Sequence, residues 1–183
     1  MEVVDINSNY EIKYEKNQIA KHITDILTLE LSKNFFSVHF VTDGEEVTGC
    51  YKITGYKQLD TYREIAVGDL LSVFIAMLYN ISDGEKHLLF SEDYQISQAT
   101  VFTDKGFSNA KMVYIPEKAE VSRPSGKEKL LRFLDSMSVK ISPEGNRYLQ
   151  ELMKYMRENN FSYTTLIHRA ETMRQEVYLC GIE

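Results

Sequence analysis

Cysteine and histidine can together run nucleophilic catalysis, the imidazole taking the thiol proton so that the thiolate attacks. This chain carries His39 and Cys50 on either side of an Asp43-Gly44 pair. A hairpin turning at that pair sets the two on neighbouring strands, within reach of each other. The same arrangement is common without chemistry, because an unpaired cysteine in a strand usually serves as a small apolar residue. No Gly-x-Ser-x-Gly or other local nucleophile motif accompanies it.

Other chemistry has less to stand on. His22, His39, His87 and His168 fall in four different segments with no His-x-x-x-His or Cys-x-x-Cys spacing, so no metal site is expected. Glu45-Glu46 and Glu92-Asp93 are paired carboxylates at turns, where acids are solvated, whereas acid–base work needs burial to separate their pKa values. The first 43 residues hold no glycine, and Gly44, Gly49 and Gly55 belong to no phosphate-cradling pattern. No catalytic, cofactor-binding or metal-binding residue is assigned, and no cofactor is expected. Tyrosine is enriched at protein interfaces but equally at home in half-buried strands. Tyr56, Tyr62 and Tyr94 are the candidate interaction residues among the 12 tyrosines.

The elements that must position these groups follow from periodicity. Tyr10, Ile12 and Tyr14 alternate with Glu11 and Lys13, the pattern of a half-buried strand. Over residues 17–33 the period becomes helical, with Ile19, Ile23, Ile26, Leu27 and Leu31 on one face. Residues 35–41 and 47–53 are β-branched and aromatic, and form the hairpin around Asp43-Gly44. Gly55 ends the second strand, and residues 58–63 read as a short helical turn. Asp69 is expected to cap a helix carrying Leu70, Leu71, Phe74, Met77, Leu78 and Ile81, the centre of the core, stopping at Asp83-Gly84. After residues 87–90 and a polar loop, residues 99–103 and 107–115 are two strands joined by Asp104-Lys105-Gly106, and residues 117–124 an exposed connection. Three helices close the chain. Ser125 with Glu128 makes a capping box ahead of Leu130, Leu131, Leu134 and Met137. Ser142-Pro143 opens the next, and Ser162 caps the last, with Phe161 and Leu166 as a hydrophobic staple. The apolar tail at residues 177–180 is expected to pack back onto the protein.

With 43% hydrophobic and 26% charged residues, the 183-residue chain has ordinary globular composition and needs no disulfide or metal to hold a core. Its net charge of −6, with both signs interspersed, excludes a phosphate-backbone footprint, so nucleic acid is not an expected partner. Residues 1–9 lack the basic and apolar regions of a signal peptide, and the apolar run at 70–78 is too short to span a bilayer. A cytoplasmic location without membrane insertion is expected, with Cys50 and Cys180 reduced. One domain over residues 1–183 is expected, β-rich over 1–62 and mainly helical over 63–183, with a β-hairpin near 99–115.

The stretches Val47-Thr-Gly-Cys-Tyr-Lys-Ile-Thr-Gly-Tyr-Lys-Gln-Leu59, His87-Leu-Leu-Phe-Ser-Glu92, Ala99-Thr-Val-Phe-Thr-Asp-Lys-Gly106 and Ala110-Lys-Met-Val-Tyr-Ile-Pro116, in this order of elements, look like an abbreviated protein kinase. The chain resembles a Firmicutes domain of unknown function that often precedes forkhead-associated (FHA) domains, over most of residues 17–176. That family is similar in turn to the pseudokinase-like cytoplasmic module of a type VII secretion membrane component. The resemblance implies a degenerate kinase-like α+β fold. Lys13 would stand for the ATP-contacting lysine, and Glu30 or Asp25 for its acidic partner. The Asp-Phe-Gly position falls at Tyr114-Ile115-Pro116.

The departures from the kinase pattern are chemical. Only 12 residues precede Lys13, too few for a glycine-rich hairpin over ATP, and residues 87–99 contain no His-Arg-Asp. Phosphoryl transfer needs positioned magnesium ligands and a base, and a neutral phenol at 114 is neither. The expected function is a non-catalytic protein-interaction module in a bacterial signalling or secretion assembly, with an unidentified protein partner. Two alternatives stand beside it: a small cysteine-dependent enzyme using Cys50 and His39, and a self-associating subunit using the tail at 177–180.

Overall fold

In the computed structural model, residues 9–15, 17–117 and 123–182 are described. Alternation at the start of the chain produces β1 (Asn9–Glu15), which pairs antiparallel with β3 (Glu46–Lys52), itself the partner of β2 (Val38–Asp43). The β2–β3 turn has Gly44 at φ 60° in its first central position, where glycine adopts the left-handed conformation without cost. Tyr10, Ile12 and Tyr14 face Tyr51, Gly49 and Val47 across the β1–β3 ladder. A Cβ on Gly49 would lie 3.1 Å from the rings of Tyr14 and Phe40, so the glycine is what lets those rings close over the sheet.

The first helix is shorter than its periodicity predicts. α1 covers Lys21–Thr28, burying Ile23 and Leu27, while residues 17–19 form a turn and Leu31 is exposed. The helix stops because its last carbonyls are taken up locally: the Leu31 N–H donates to Ile26 O and the Glu30 N–H to Leu27 O, with Glu30 left-handed at φ 53°. That is a Schellman ending, with glutamate where glycine is usual. Phe35 and Phe36 do not extend β2 either. They run beside a strand of the second sheet, Met112 N–H donating to Asn34 O at 2.8 Å and Phe36 N–H to Met112 O at 3.1 Å.

The second sheet is β4 (Tyr56–Gln58), β5 (Val101–Asp104) and β6 (Ala110–Met112), all antiparallel. β4 is an element that periodicity does not predict, and β5 and β6 are shorter than expected because their turn spans 105–109. Asp104 holds that turn, its carboxylate accepting from the Ser108 N–H and hydroxyl and from the Asn109 N–H and side-chain amide at 2.8–3.2 Å.

α2 (Val67–Glu85) is buried on nearly every side, as its large apolar residues require. Its N-cap is Ala66, without a side-chain hydrogen bond. Asp69 lies within the first turn, where its charge suits the helix dipole, and is not the expected cap. α3 (Gly126–Met137), α4 (Pro143–Glu158) and α5 (Tyr163–Cys180) complete an α+β fold, a β-rich N-terminal part followed by helices. Ser125 and Glu128 form the reciprocal capping box, and Ser162 with Thr165 forms another. In α3, Phe133 takes a core place, while Leu131 is only half-buried. The tail at 177–180 is the last turn of α5: Val177 is buried, but Tyr178, Leu179 and Cys180 are exposed rather than packed back. Of the expected connection at 117–124, residues 118–122 lie outside the described residues, while Arg123 pairs with Asp93 at 2.9 Å.

Candidate functional site

Of the positions singled out by the kinase resemblance, Lys13 and Glu30 are held by other partners. Lys13 on β1 pairs with Glu46 on β3 at 2.7 Å, and this hydrogen bond, reinforced by Glu46's charge, holds its ammonium above the usual lysine range. The Glu30 carboxylate accepts the Ser37 hydroxyl at 2.6 Å. Asp25 is exposed on α1. Lys13 and Glu30 thus share no ion pair among the described residues.

Tyr114 is buried where the first sheet meets the chain leaving β6. Its carbonyl accepts the Tyr14 hydroxyl at 2.6 Å and the Tyr51 hydroxyl at 3.2 Å, and those two hydroxyls lie 2.7 Å apart. Two phenolic protons serve three contacts, so one of them is shared, and the shorter bond to the carbonyl is the one from Tyr14. Phe35 stacks edge-on against both Tyr94 and Tyr114. The junction of the two parts is therefore packed with aromatic rings.

Tyr94 is wholly buried and accepts a hydrogen bond from the Asn34 amide at 3.1 Å, so it is an interior residue and not a surface-facing interaction residue. Alternating polarity could not reveal this, because its burial comes from Phe35 and Asn34, some 60 positions away. Tyr56 and Tyr62 are half-buried at the second sheet: Tyr56 meets Phe36 edge-on, and the Lys57 ammonium lies 4.5 Å from the centre of the Tyr62 ring.

The loop after α2 is anchored by a residue that sequence reasoning passed over. Lys129, only 4% exposed, donates from Nζ to the carbonyls of Ser91, Glu92 and Tyr94 at 2.8–3.0 Å and pairs with Glu117 at 2.8 Å. The available signal was its place on the buried side of α3, four residues before Phe133 and eight before Met137. Close by, the Tyr163 hydroxyl lies 3.0 Å from both Glu85 and the Ser91 hydroxyl. Burial raises the Glu85 carboxyl above its ordinary range, the Tyr163 hydrogen bond opposes this, and the charge of Glu92 adds to it. Gly126 is required here, since any Cβ would overlap the Ser91 side chain, and its N–H donates to the Glu92 carboxylate at 3.3 Å. Glu92 thereby occupies the electropositive N-terminus of α3.

His39 and Cys50 are directly opposite in the β2–β3 ladder, and Glu11 on β1 faces Cys50 from the other side. This row lies on the outer face of the sheet, opposite in sense to Tyr14 and Tyr51. His39 is exposed and Cys50 half-buried. Among the described residues, no three histidine, cysteine or carboxylate side chains are grouped to hold a metal, and no helix is long and apolar enough to cross a membrane.

One end of the molecule exposes apolar side chains. α2 ends as α1 does, the Leu89 N–H donating to Gly84 O and the Leu88 N–H to Glu85 O, with Leu88 left-handed at φ 62°. Gly84 sits beside Ser32 and the Leu89 carbonyl, which brings the two helix ends together. Leu29, Leu31, Leu88 and Phe90 there are 43–67% exposed. A bulky residue at positive φ is costly and is kept only where its surroundings or its use demand it.

No protein-family model matches the chain, and no curated protein matches it. Among solved structures it is similar to the cytoplasmic fragment of ESSB from Staphylococcus aureus, at a TM-score of 0.46 and 10% sequence identity, covering 91% of this chain and 98% of that one. A likeness of that degree carries no argument about site or activity.

Proposed function

We propose that this chain is a non-catalytic protein-interaction module of pseudokinase-like fold, working in the cytoplasm within a bacterial signalling or secretion assembly. The observation that carries the reading is that Lys13 and Glu30 are bonded to Glu46 and Ser37 rather than to each other. Phosphoryl transfer depends on such a lysine–glutamate pair and on magnesium-holding acids. The Tyr14–Tyr51–Tyr114 junction supports it further, since packed rings stand between the sheet and the chain leaving β6. The exposed leucines at the ends of α1 and α2, Leu88 among them in a strained left-handed conformation, support a binding role, because exposed apolar clusters mark interaction sites. The assembly class rests on the sequence resemblance. A calorimetric titration with Mg-ATP tests the reading: no binding heat is expected, and micromolar affinity would overturn it.

The cross-strand placement of His39 opposite Cys50 favours one second reading, a cysteine-dependent enzyme. In a Cys180→Ser background, iodoacetamide would then label Cys50 faster than a free thiol near neutral pH, and His39→Ala would slow it. A rate no faster than free cysteine removes this reading.

A further inference from the structure

Arg169 on α5 has its guanidinium carbon 6.0 Å from the centre of the Tyr155 ring of α4. Its Nε is sealed from solvent without a hydrogen-bond partner, the one buried side-chain nitrogen or oxygen in that state among the described residues. Every ion pair found among those residues involves other cations: Lys13, Lys86, Arg123, Lys129 and Lys154. On this half-buried residue Nε has lost water without a replacement, and the guanidinium carries no counter-charge among the described residues. Grooves of about 470–570 Å³ recur on this surface, and the one beside Arg169 holds ≈ 540 Å³. It differs from the others in chemistry: Tyr155, Thr164, Thr165, His168 and Thr172 line it with Arg169, and none of them is acidic. The hydroxyl protons of Thr165 and Thr172 are committed to the carbonyls of Ser162 and His168. The terminal guanidinium nitrogens, the His168 ring, and the Thr164 and Tyr155 hydroxyls remain as donors on residues that line one groove, in a chain of net charge −6.

We propose that this α4–α5 groove binds a phosphate monoester, with Arg169 supplying charge and the His168 ring and the hydroxyls of Thr164 and Tyr155 supplying further donors. Arginine meets phosphate oxygens through two parallel N–H bonds, and the groove has room for the group that carries the phosphate as well as the phosphate itself. The proposal stands apart from the expectation that Mg-ATP does not bind, which concerns the junction of the two parts of the fold. It is tested by titrating isotope-labelled protein with inorganic phosphate, O-phosphothreonine and threonine at constant ionic strength, following the amide resonances of Thr164, His168 and Arg169. Both phosphates should give saturable shifts and threonine none, with Arg169→Gln weakening the affinity by about tenfold or more. Tighter binding of O-phosphothreonine identifies a phosphorylated side chain as the source, and tighter binding of phosphate a small free anion. Should Arg169→Gln not fold, His168→Gln on the exposed side of the groove gives the same reading. Shifts that fail to saturate, that threonine reproduces, or that persist unchanged in these variants overturn the proposal.

Discussion

The Tyr14 hydroxyl donates to the main-chain oxygen of Tyr114 at 2.6 Å, joining positions 100 residues apart in the interior. The Tyr51 hydroxyl reaches the same oxygen at 3.2 Å, so a single carbonyl fixes β1, β3 and the chain beyond β6 relative to one another.

The two phenols should not be equivalent. Tyr14→Phe removes the shorter bond and is expected to cost about 1–2 kcal/mol, whereas Tyr51→Phe leaves Tyr14 donating and should cost roughly half as much. Urea denaturation with an unchanged slope measures both, and equal midpoint shifts would contradict this ranking of the two bonds.

Alkali should loosen the fold through the same cluster. Burial pushes the Tyr51 phenol up to about 12 although its hydrogen bonds oppose this, and burial also raises Tyr14, Tyr94, Tyr114 and Tyr163. Above the free phenol value of about 10, the unfolded chain releases protons that the folded one retains. This stabilisation is complete below that value and is lost as pH rises through about 12. Urea midpoints should therefore fall steadily from about pH 10 upward, with phenolate absorbance appearing together with unfolding; a flat profile to about pH 12 would count against it.

Lys129→Met keeps the stem of the side chain but leaves three carbonyls and Glu117 without their cation. The expected loss is about 3–5 kcal/mol, the range for removing one member of a buried pair. Guanidinium denaturation reads this directly, and a loss under about 1 kcal/mol would mean that the loop satisfies itself in another way.

Leu88→Gly should make the protein more stable. The substitution relieves a left-handed leucine whose side chain is 61% exposed, and a gain of about 0.5–1 kcal/mol is expected after glycine's extra chain entropy. Glu30→Gly relieves the same strain but gives up the bond from Ser37, so its melting temperature should barely move. A destabilising Leu88→Gly would show that the leucine packs usefully in the isolated chain.

Features determined by neighbouring residues were legible in the sequence. The capping box of Ser125 with Glu128, the Ser142-Pro143 start and the Ser162 cap each need only a few residues and formed where expected. The hairpin register that sets His39 opposite Cys50 was legible for the same reason. Features determined at long range were not. β4 is three residues whose partner strand lies more than 40 positions away, and α1 ends at Thr28 because a Schellman turn outweighs a periodicity that continues to Leu31. The Arg169 groove and the Lys129 anchor were passed over because a charged residue beside another polar one looks like a solvated face until its helix has a neighbour. Of the candidate interaction tyrosines, Tyr94 was misplaced because what buries it, Asn34 and Phe35, lies some 60 positions away.

The pairing of Phe35 with Met112 sets the order in which the protein can mature during synthesis. The first three strands leave the ribosome well before Met112, and until the chain beyond it follows, the hydroxyls of Tyr14 and Tyr51 lack the carbonyl that holds them in the folded protein. A nascent or prematurely terminated chain ending short of that residue presents a wet aromatic sheet to its surroundings, the kind of surface that chaperones hold.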